Sequence, residues 1–591
     1  MTSTSDGPLS FFETDWQTSA FLPDAGLTFA EALQRSARLH PQRAAFHEVT
    51  FAGRRPQARA VPFAEALERI RTATDGLAAR GVAAGDRVLL CVDRPDAFLA
   101  YFVGAQALGA IPVPLPSTSD LGTVVLEKRI KSIAEDCTPR ALVFSGGAGD
   151  RLRALDGIAA LDADLMTNSA PSGLDRELSL PRDLAATAFI QYTSGSTGAP
   201  KGVVVTQRNL VANLRASTEA ARLGPEDRSY CWLPLYHDMG LIGGLLLGVY
   251  LAIPTYVAAP RTFMVRPDSW LRAIDHFRIT FSVGPNFAYH LLARRLPDSA
   301  LGELDLSHWR LAFDGSEPVD RATVEAFVER FGPCGFKKSA FYPVYGLAEC
   351  TLSAAFPVPG TEPHFDSVDR QRLAVEGRAE PALEGAANAI SFVSVGQPVP
   401  GLRVRILEPD GEKEVGERRV GEIALSGPSV TPGYFMAGTG PTARSELRTG
   451  DLGYLAEGRL YVVDRLKDLI IIGGRNIVPS DVETVAAVEG VRASGVVAFS
   501  RRGNDGTEEL VLVVALEPRA RPRADEVRRE IELRVHAELG VLPAEVVLVP
   551  PNAIPKTSSG KLRRAECRRL LASGALLRAP TDVADDEPFS A

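Results

Sequence analysis

Between Gln191 and Gly202 the chain reads QYTSGSTGAPKG. Thr193, Ser194, Ser196 and Thr197 supply hydroxyls, Gly195 and Gly198 are free to turn backbone amides inward, and Lys201 adds a full positive charge. Amides, hydroxyls and one cation gathered in a short loop suit the grip of an anion, phosphate above all. The loop is not a Walker A sequence, in which Ser or Thr follows the lysine directly; here Gly202 follows Lys201. Taken alone, the same composition also suits a flexible surface linker.

The loop does not stand alone. In order along the chain come LPLYHDMG (233–240), DGSEPV (314–319), YGLAE (345–349), TGDLG (449–453), DRLKDLIIIGGRNI (464–477) and PKTSSGKLRR (555–564). With the loop, these seven motifs resemble the signatures of the adenylate-forming superfamily, which includes acyl-CoA synthetases, peptide-synthetase adenylation domains and firefly luciferase. The resemblance covers nearly the whole chain. It implies that a carboxylate attacks the α-phosphate of ATP, giving acyl-AMP and pyrophosphate. Carboxylate and triphosphate repel, so cations and N–H donors must be in place beforehand.

The resemblance also distributes roles, each with a plainer competitor. Thr193, Ser194, Gly195, Ser196, Thr197, Gly198 and Lys201 would hold the β- and γ-phosphates. Glu349 would bind Mg²⁺ as a hard carboxylate near phosphate; its competitor is an ordinary paired surface Glu. Tyr345 would stack on adenine, with Gly346 and Leu347 beside it and Gly315, Ser316, Glu317 and Pro318 over the other face. A core tyrosine is the plainer fate of Tyr345. Asp451 would accept the ribose hydroxyls and Arg465 would support ribose and phosphate, although TGDLG is also turn-like. Lys561 would bridge the acyl carboxylate and the α-phosphate; outside the motif it would be a solvated lysine. His237 would gate the carboxylate's entry or simply pack there. Met239, Gly240, Gly243 and Gly244 would open the substrate tunnel, and Lys467 would be the hinge of a small mobile domain.

Within the superfamily the chain most resembles the fatty acyl-AMP ligases. Gln191 precedes the loop, YHDMGLIGG resembles the start of their substrate helix, and the segment Thr351 to Phe392 is long. That segment contains HFDSVDRQRLAVEGRAEPALEGAANA and resembles the insertion that marks these ligases and hinders use of free coenzyme A. Its competitor is a tolerated surface insertion. Gly473 departs from the pattern, since many AMP ligases carry Arg there. The resemblance therefore implies a medium- or long-chain fatty acid substrate, ATP and Mg²⁺. The acceptor is the phosphopantetheine thiol of an acyl carrier protein supplied in trans, such as that of a polyketide or peptide synthase; the alternative is a fatty acyl-CoA synthetase using free CoA. Two arginine runs, Arg519/Arg521/Arg523/Arg528/Arg529 and Arg563/Arg564/Arg568/Arg569, would offer an acidic carrier a docking face, or would be only a solvated surface.

Positioning such residues takes an α/β framework. FAEALERIRTATDGLAARG has helical periodicity and is followed by the strand RVLLCV; FLAYFVGAQALGAIPVPLP and KRIKSIAEDCTPRALVFS repeat the alternation. Helix–strand alternation argues for sheets covered by helices. GLRVRILEPDG, GEIALSG and GRLYVVDR read as a small β-rich subdomain. Beyond it ASGVVAFS, EELVLVVALE and AEVVLVP read as strands, with Val527, Ile531 and Val535 on one helix face. The expected layout is a lead-in over 1–26, a large domain over 27–464, a small mobile α+β C-terminal domain over 465–578 and an acidic tail over 579–591.

Composition bounds the rest. A chain of 591 residues, 45% hydrophobic and 23% charged, can bury large cores. A net charge of -8 argues against bulk nucleic-acid binding and requires positive charge to be concentrated locally. The six cysteines form no CxxC pair and suit neither zinc nor a disulfide framework. The stretch 241–259 is long enough for a membrane span, but Pro254 interrupts it, so a buried core helix is expected instead. The opening MTSTSDGPLSFFETDW lacks the basic-then-apolar pattern of a signal peptide, and a cytoplasmic location is expected.

Overall fold

The computed structural model describes residues 22–117, 123–145, 158–166, 178, 180, 182–193, 200–297, 301–386, 388–409, 411–436, 446–465, 468, 470–472, 475–502, 508–539, 541–556 and 562–576. The expected lead-in up to residue 21, the acidic tail, loop residues Ser194 to Gly198, Lys467 and Lys561 lie outside the described residues.

The architecture is mixed α/β, as the alternation predicts. A seven-stranded sheet has the order Phe341–Pro343, Leu311–Gly315, Phe281–Pro285, Ser229–Cys231, Thr255–Ala258, Ala44–Ala52, Arg55–Pro62. All its neighbours are parallel except the terminal hairpin Ala44–Ala52/Arg55–Pro62. A second, four-stranded parallel sheet has the order Ile111–Pro114, Arg87–Cys91, Ala141–Phe144, Ala159–Asp162. Helices flank these strands, most by burying one apolar stripe and Pro95–Ala107 by burial all round. Phe63–Ala78, for example, turns Phe63, Ala66, Ile70, Ala73 and Leu77 inward. Side chains cap several starts: Thr28 with Glu31, and Thr206 with Asn209, form reciprocal capping boxes that satisfy otherwise orphaned amides.

A parallel sheet aims its strand ends, and the loops after them, at one edge. Ligands in such sheets sit outside the carboxyl ends of the strands. Here Trp232–Met239 follows Ser229–Cys231, Ser316–Pro318 follows Leu311–Gly315, and Tyr345 follows Phe341–Pro343 closely. Three of the sequence motifs thus reach the same edge. Beneath them Trp270, Tyr289, Trp309 and Phe327 pack as an aromatic core, Trp270 meeting Tyr289 with ring centroids 5.1 Å apart.

The β-rich part is a four-stranded antiparallel sheet, Arg403–Leu407, Gly421–Ser426, Leu447–Ala456, Arg459–Arg465. The C-terminal strands Val491–Arg502, Glu508–Leu516 and Glu545–Val549 make a three-stranded sheet. Val527, Ile531 and Val535 lie buried on the helix Ala524–Leu539, in a core of residues between 470 and 546. The apolar stretch after His237 is not one regular helix. Met239–Leu246 has π-helical hydrogen bonding, Leu247–Leu251 is α-helical, Ala252 ends it at φ 51, and Thr255–Ala258 is a strand. No helix among the described residues is long and apolar enough to cross a membrane.

Candidate active site

The phosphate loop is carried by the hairpin Thr187–Thr193/Lys201–Thr206, whose open end pairs Thr193 with Lys201. Tyr434 forms an isolated bridge with Val203 and so is held against this hairpin. Lys201 Nζ lies 5.4 Å from the Tyr434 ring centroid, and the Tyr434 hydroxyl donates to Glu349 Oε1 at 2.8 Å. The Glu349 backbone carbonyl accepts from Thr431 N at 2.9 Å. Two expected site residues, Lys201 and Glu349, are therefore joined through a third that sequence reasoning missed. Its only sequence signal is a tyrosine, followed by Phe435, in the turn-rich stretch TPGYF, and nothing in that stretch reveals its partners.

Among the described residues no three His, Cys, Asp or Glu side chains gather as a metal cage. Mg²⁺ needs no such cage, because it keeps its waters and relies on one or two carboxylates plus substrate phosphates. Glu349 has one oxygen engaged by Tyr434 and a second to offer such an ion.

The residues expected at the nucleoside also meet one another. The Tyr345 hydroxyl donates to Asp451 Oδ2 at 2.7 Å, and burial beside that carboxylate pushes the phenol well above its ordinary range. Asp451 N in turn donates to Thr449 Oγ1 at 3.1 Å. Across the strand pair Leu447–Ala456/Arg459–Arg465, Asp451 stands opposite Arg465. The adenine and ribose residues named from sequence are thus neighbours. Close packing explains the glycines: a Cβ on Gly315 would meet Val344 Cγ2 at 2.8 Å, and one on Gly346 would collide with the Leu352 carbonyl. Ser316 holds a left-handed φ of 67 and its Oγ donates to Met239 Sδ at 3.7 Å. Glu317 Oε2 accepts from Phe287 N at 3.0 Å, tying the adenine-side loop to the start of the helix Asn286–Arg295. Asp314 opens the same motif fully buried, with neither carboxylate oxygen hydrogen-bonded. Burial, with Glu317 and Asp320 nearby, raises its carboxyl far above the usual range.

On the acyl side, Asp238 Oδ1 accepts from Met239 N at 2.7 Å and lies 2.8 Å from His237 Nδ1. An ionised Asp238 makes Nδ1 the donor and leaves Nε2 for a ligand. Gln191 Nε2 holds the Tyr236 carbonyl at 2.6 Å, so the residue before the phosphate hairpin's last turn fixes the loop that carries His237. A cavity of about 670 Å³, its open mouth included, is lined by Asp238, Met239, Ser316 and Tyr345 together with the apolar Leu214, Phe281, Phe313 and Phe356. Met239 and Gly243 line it. Gly240 and Gly244 are instead packing glycines: a Cβ would strike the Pro234 carbonyl or Cys231 Sγ. They let the π-turn approach the strand behind it.

The arginine runs of the small domain are mostly neutralised. Arg564 is not a surface residue but reaches Glu483 at 2.7 Å, Asp468 at 3.3 Å and Asp464 at 4.0 Å. Arg519, Arg523, Arg528 and Arg569 each pair with a neighbouring carboxylate, and Arg568 lies over the Phe499 ring.

The long segment after YGLAE is an ordered hairpin, Phe365–Asp369 with Ala389–Val393, enclosing the helix Arg370–Glu376. Asp366 anchors it to the β-rich sheet, accepting from Arg418 Nη1 at 2.9 Å and from the Tyr454 hydroxyl at 2.8 Å. On its other side Arg370 Nη1 donates to the Glu538 carbonyl at 2.8 Å, at the end of the C-terminal helix Ala524–Leu539.

Comparison with known proteins agrees with this arrangement. The AMP-binding enzyme family model matches residues 33–435. The long-chain-fatty-acid–AMP ligase FadD26 of Mycobacterium marinum is 34% identical over 543 residues, covering 86% of this chain and 91% of its own length. The medium-chain-fatty-acid–[acyl-carrier-protein] ligase JamA of Moorena producens is 33% identical over 519 residues, covering 83% and 86%. A solved structure from a study of the fatty acyl-adenylate ligases of E. coli and L. pneumophila superposes with a TM-score of 0.84 at 33% identity, covering 94% of this chain and all of that one. With its motifs brought to one edge of a helix-covered sheet, an apolar cavity opening beside the nucleotide residues and relatives of this kind along most of its length, the chain belongs to the AMP-binding enzymes, in their fatty acyl-AMP ligase branch.

Proposed function

We propose that this protein activates a medium- or long-chain fatty acid with ATP to acyl-AMP and pyrophosphate, then passes the acyl group to the phosphopantetheine thiol of an acyl carrier protein. The observation that carries the reading is the cavity that the apolar Phe281, Phe313 and Phe356 line together with Ser316 and Tyr345. An alkyl chain fits against the apolar walls, and its carboxylate meets the nucleotide beside Ser316 and Tyr345.

The chain's own residues divide the work. Lys201, with Thr193 and the loop from Ser194 to Gly198, neutralises the β- and γ-phosphates. Tyr434 holds Glu349 and faces Lys201, so the two charges stay apart from each other and available to the triphosphate. Mg²⁺, bound with ATP at Glu349, would neutralise charge on the departing pyrophosphate. Tyr345 stacks on adenine while its hydroxyl orients Asp451 toward the ribose. Asp238 orients His237 at the carboxylate's entry. Lys561 brings a positive charge to the carboxylate and α-phosphate as they join, and Lys467 is the pivot that turns the small domain, 465–578, away for thiol transfer.

For the acceptor, the anchored hairpin with Arg370 on the Glu538 carbonyl supports a restrained small domain, and so a carrier-borne thiol over free CoA. A carrier of a polyketide or peptide synthase in the cytoplasm fits the substrate and the residues. The test is one incubation of the protein with a fatty-acid panel, ATP, Mg²⁺ and either CoA or a holo acyl carrier protein, read by mass spectrometry. Acyl-AMP in every tube, acyl-carrier when the carrier is present and little acyl-CoA is the expected result. Efficient acyl-CoA formation with no carrier would reverse the acceptor. Lys561→Ala should cut pyrophosphate release by roughly 10²–10³, the loss typical of one preorganised donor. A folded variant that keeps most of its activity would remove Lys561 from the chemistry.

A further inference from the structure

A second surface lies on the same edge of the seven-stranded sheet as the site. Thr255–Ala258 runs parallel to Ser229–Cys231, so the helix Pro260–Val265 that follows it emerges beside the loop bearing His237. Ala44–Ala52 runs parallel to Thr255–Ala258, so the turn Gly53–Arg54 emerges there too. Arg266 joins the two: its Nη1 donates to the Gly53 carbonyl, and its guanidinium lies 5.2 Å from the Phe51 ring centroid. Phe263 fixes the helix from below, stacked on Trp232 with centroids 3.8 Å apart.

This platform gathers positive charge and apolar side chains on a chain whose net charge is -8. Met264 and Val265 stand side by side, 64% and 67% exposed. Around them Arg54, Arg55 and Arg261 are exposed, and none of them, nor Arg266, has a carboxylate partner among the described residues. Two adjacent exposed aliphatic side chains within a group of unneutralised guanidiniums match the interface of an anionic bilayer. Apolar groups enter between headgroups, and arginines meet lipid phosphates. A protein partner would need roughly 800 Å² of fitted surface; a bilayer needs no shape match.

We propose that the platform formed by Gly53–Arg55 and Arg261–Arg266 rests on the surface of an anionic membrane, on the same sheet edge as the candidate active site. Its use in substrate collection rests on the function proposed above; the binding itself does not.

The test is flotation of the full chain with vesicles of equimolar phosphatidylglycerol and phosphatidylcholine, against pure phosphatidylcholine. Binding should favour the anionic vesicles and weaken as salt rises, because exposed charges are screened. Arg54→Glu with Arg55→Glu, and separately Met264→Asp with Val265→Asp, should each lower the bound fraction about tenfold. Both pairs are exposed, so the melting temperature and the adenylation of detergent-dispersed fatty acid should be unchanged. No binding to anionic vesicles, or equal binding by all variants, overturns the proposal. So does a result in which the variants bind vesicles normally but transfer acyl groups more slowly to a holo carrier protein, which would give the face to the carrier. Vesicle binding in a protein that forms no acyl-AMP would sink the proposed function and leave the membrane surface standing.

Discussion

Tyr345 illustrates how a residue identity readable in sequence gains its meaning only from a partner. Its hydroxyl donates to Asp451 at 2.7 Å across 106 positions of chain. Tyr345→Phe keeps the ring but removes a donor to a charged acceptor, an interaction worth about 1.5–3 kcal/mol. The KM for ATP should rise about tenfold or more with kcat little changed, measured by pyrophosphate release; an unchanged KM would show that the hydroxyl does not orient Asp451. Asp314 makes a prediction about stability. It is buried with both oxygens unpaired, and its carboxyl is raised far above the usual range. A carboxyl with a raised folded pKa holds its proton in the folded chain after the unfolded chain has lost it. Its favourable contribution is complete below about pH 4 and is lost as pH rises toward the folded pKa, by about 1.4 kcal/mol per unit. Asp314→Asn cannot ionise, so thermal melts should show the variant gaining on the wild type from pH 5 upward (about where the window opens). A constant difference across pH would mean Asp314 is not buried as a neutral acid. The motif spellings single out Tyr345, Asp451, Glu349 and Lys201 because the chemistry expected of them is carried by residue type. Tyr434 and the isolation of Asp314 were not legible, because a hydrogen bond between distant segments, or the lack of one, leaves no local trace.

At the scale of elements, periodicity served well wherever one face meets a core. Val527, Ile531 and Val535 were readable as a buried stripe, and RVLLC as a strand, because apolar spacing follows helix and strand geometry directly. The stretch 239–251 was readable as buried but not as a π-turn running into an α-turn. That geometry depends on Gly240 and Gly244 fitting against the Pro234 carbonyl and Cys231, which is tertiary information. The hairpin between 365 and 393 was readable as an insertion; its two-sided attachment was not. Asp366 fixes it to Arg418 and Tyr454, and Arg370 reaches the C-terminal helix. If the hairpin restrains the small domain, trimming 370–387 should raise acyl-CoA formation from a low base while acyl-AMP formation holds. Arg370→Ala should do the same more weakly, since it removes one bridging side chain and leaves the hairpin's own anchor. Acyl-CoA yield unchanged in both variants would reduce the hairpin to a surface feature.

At the scale of the whole molecule, the proposed function needs one small domain to serve one site in two orientations. The C-terminal residues carry their own apolar core, built from Val482, Leu512, Val514, Ile531 and Val535 among others, so they are able to move as a body. Arg564 joins that body to the chain leading into it, through Glu483, Asp468 and Asp464. Glu483 and Asp468 lie with Arg564 on the C-terminal side of position 467, so a pivot there would part only the Arg564–Asp464 contact, the longest of the three at 4.0 Å, and keep the rest of the costly cluster intact. Lys467 lies between Asp464 and Asp468, where a change of φ and ψ over one or two residues would swing the body as a unit. Proline at that position fixes φ near -65°. Lys467→Pro should therefore trap one orientation and spare one half-reaction far more than the other. Single-turnover measurement separates them: acyl-AMP formation followed by its pyrophosphate, and acyl transfer to a holo carrier protein from preformed acyl-AMP. A variant that melts like the wild type and loses both half-reactions equally would place the pivot elsewhere, and the ionic cluster around Arg564 would then mark a fixed junction rather than the border of a moving one.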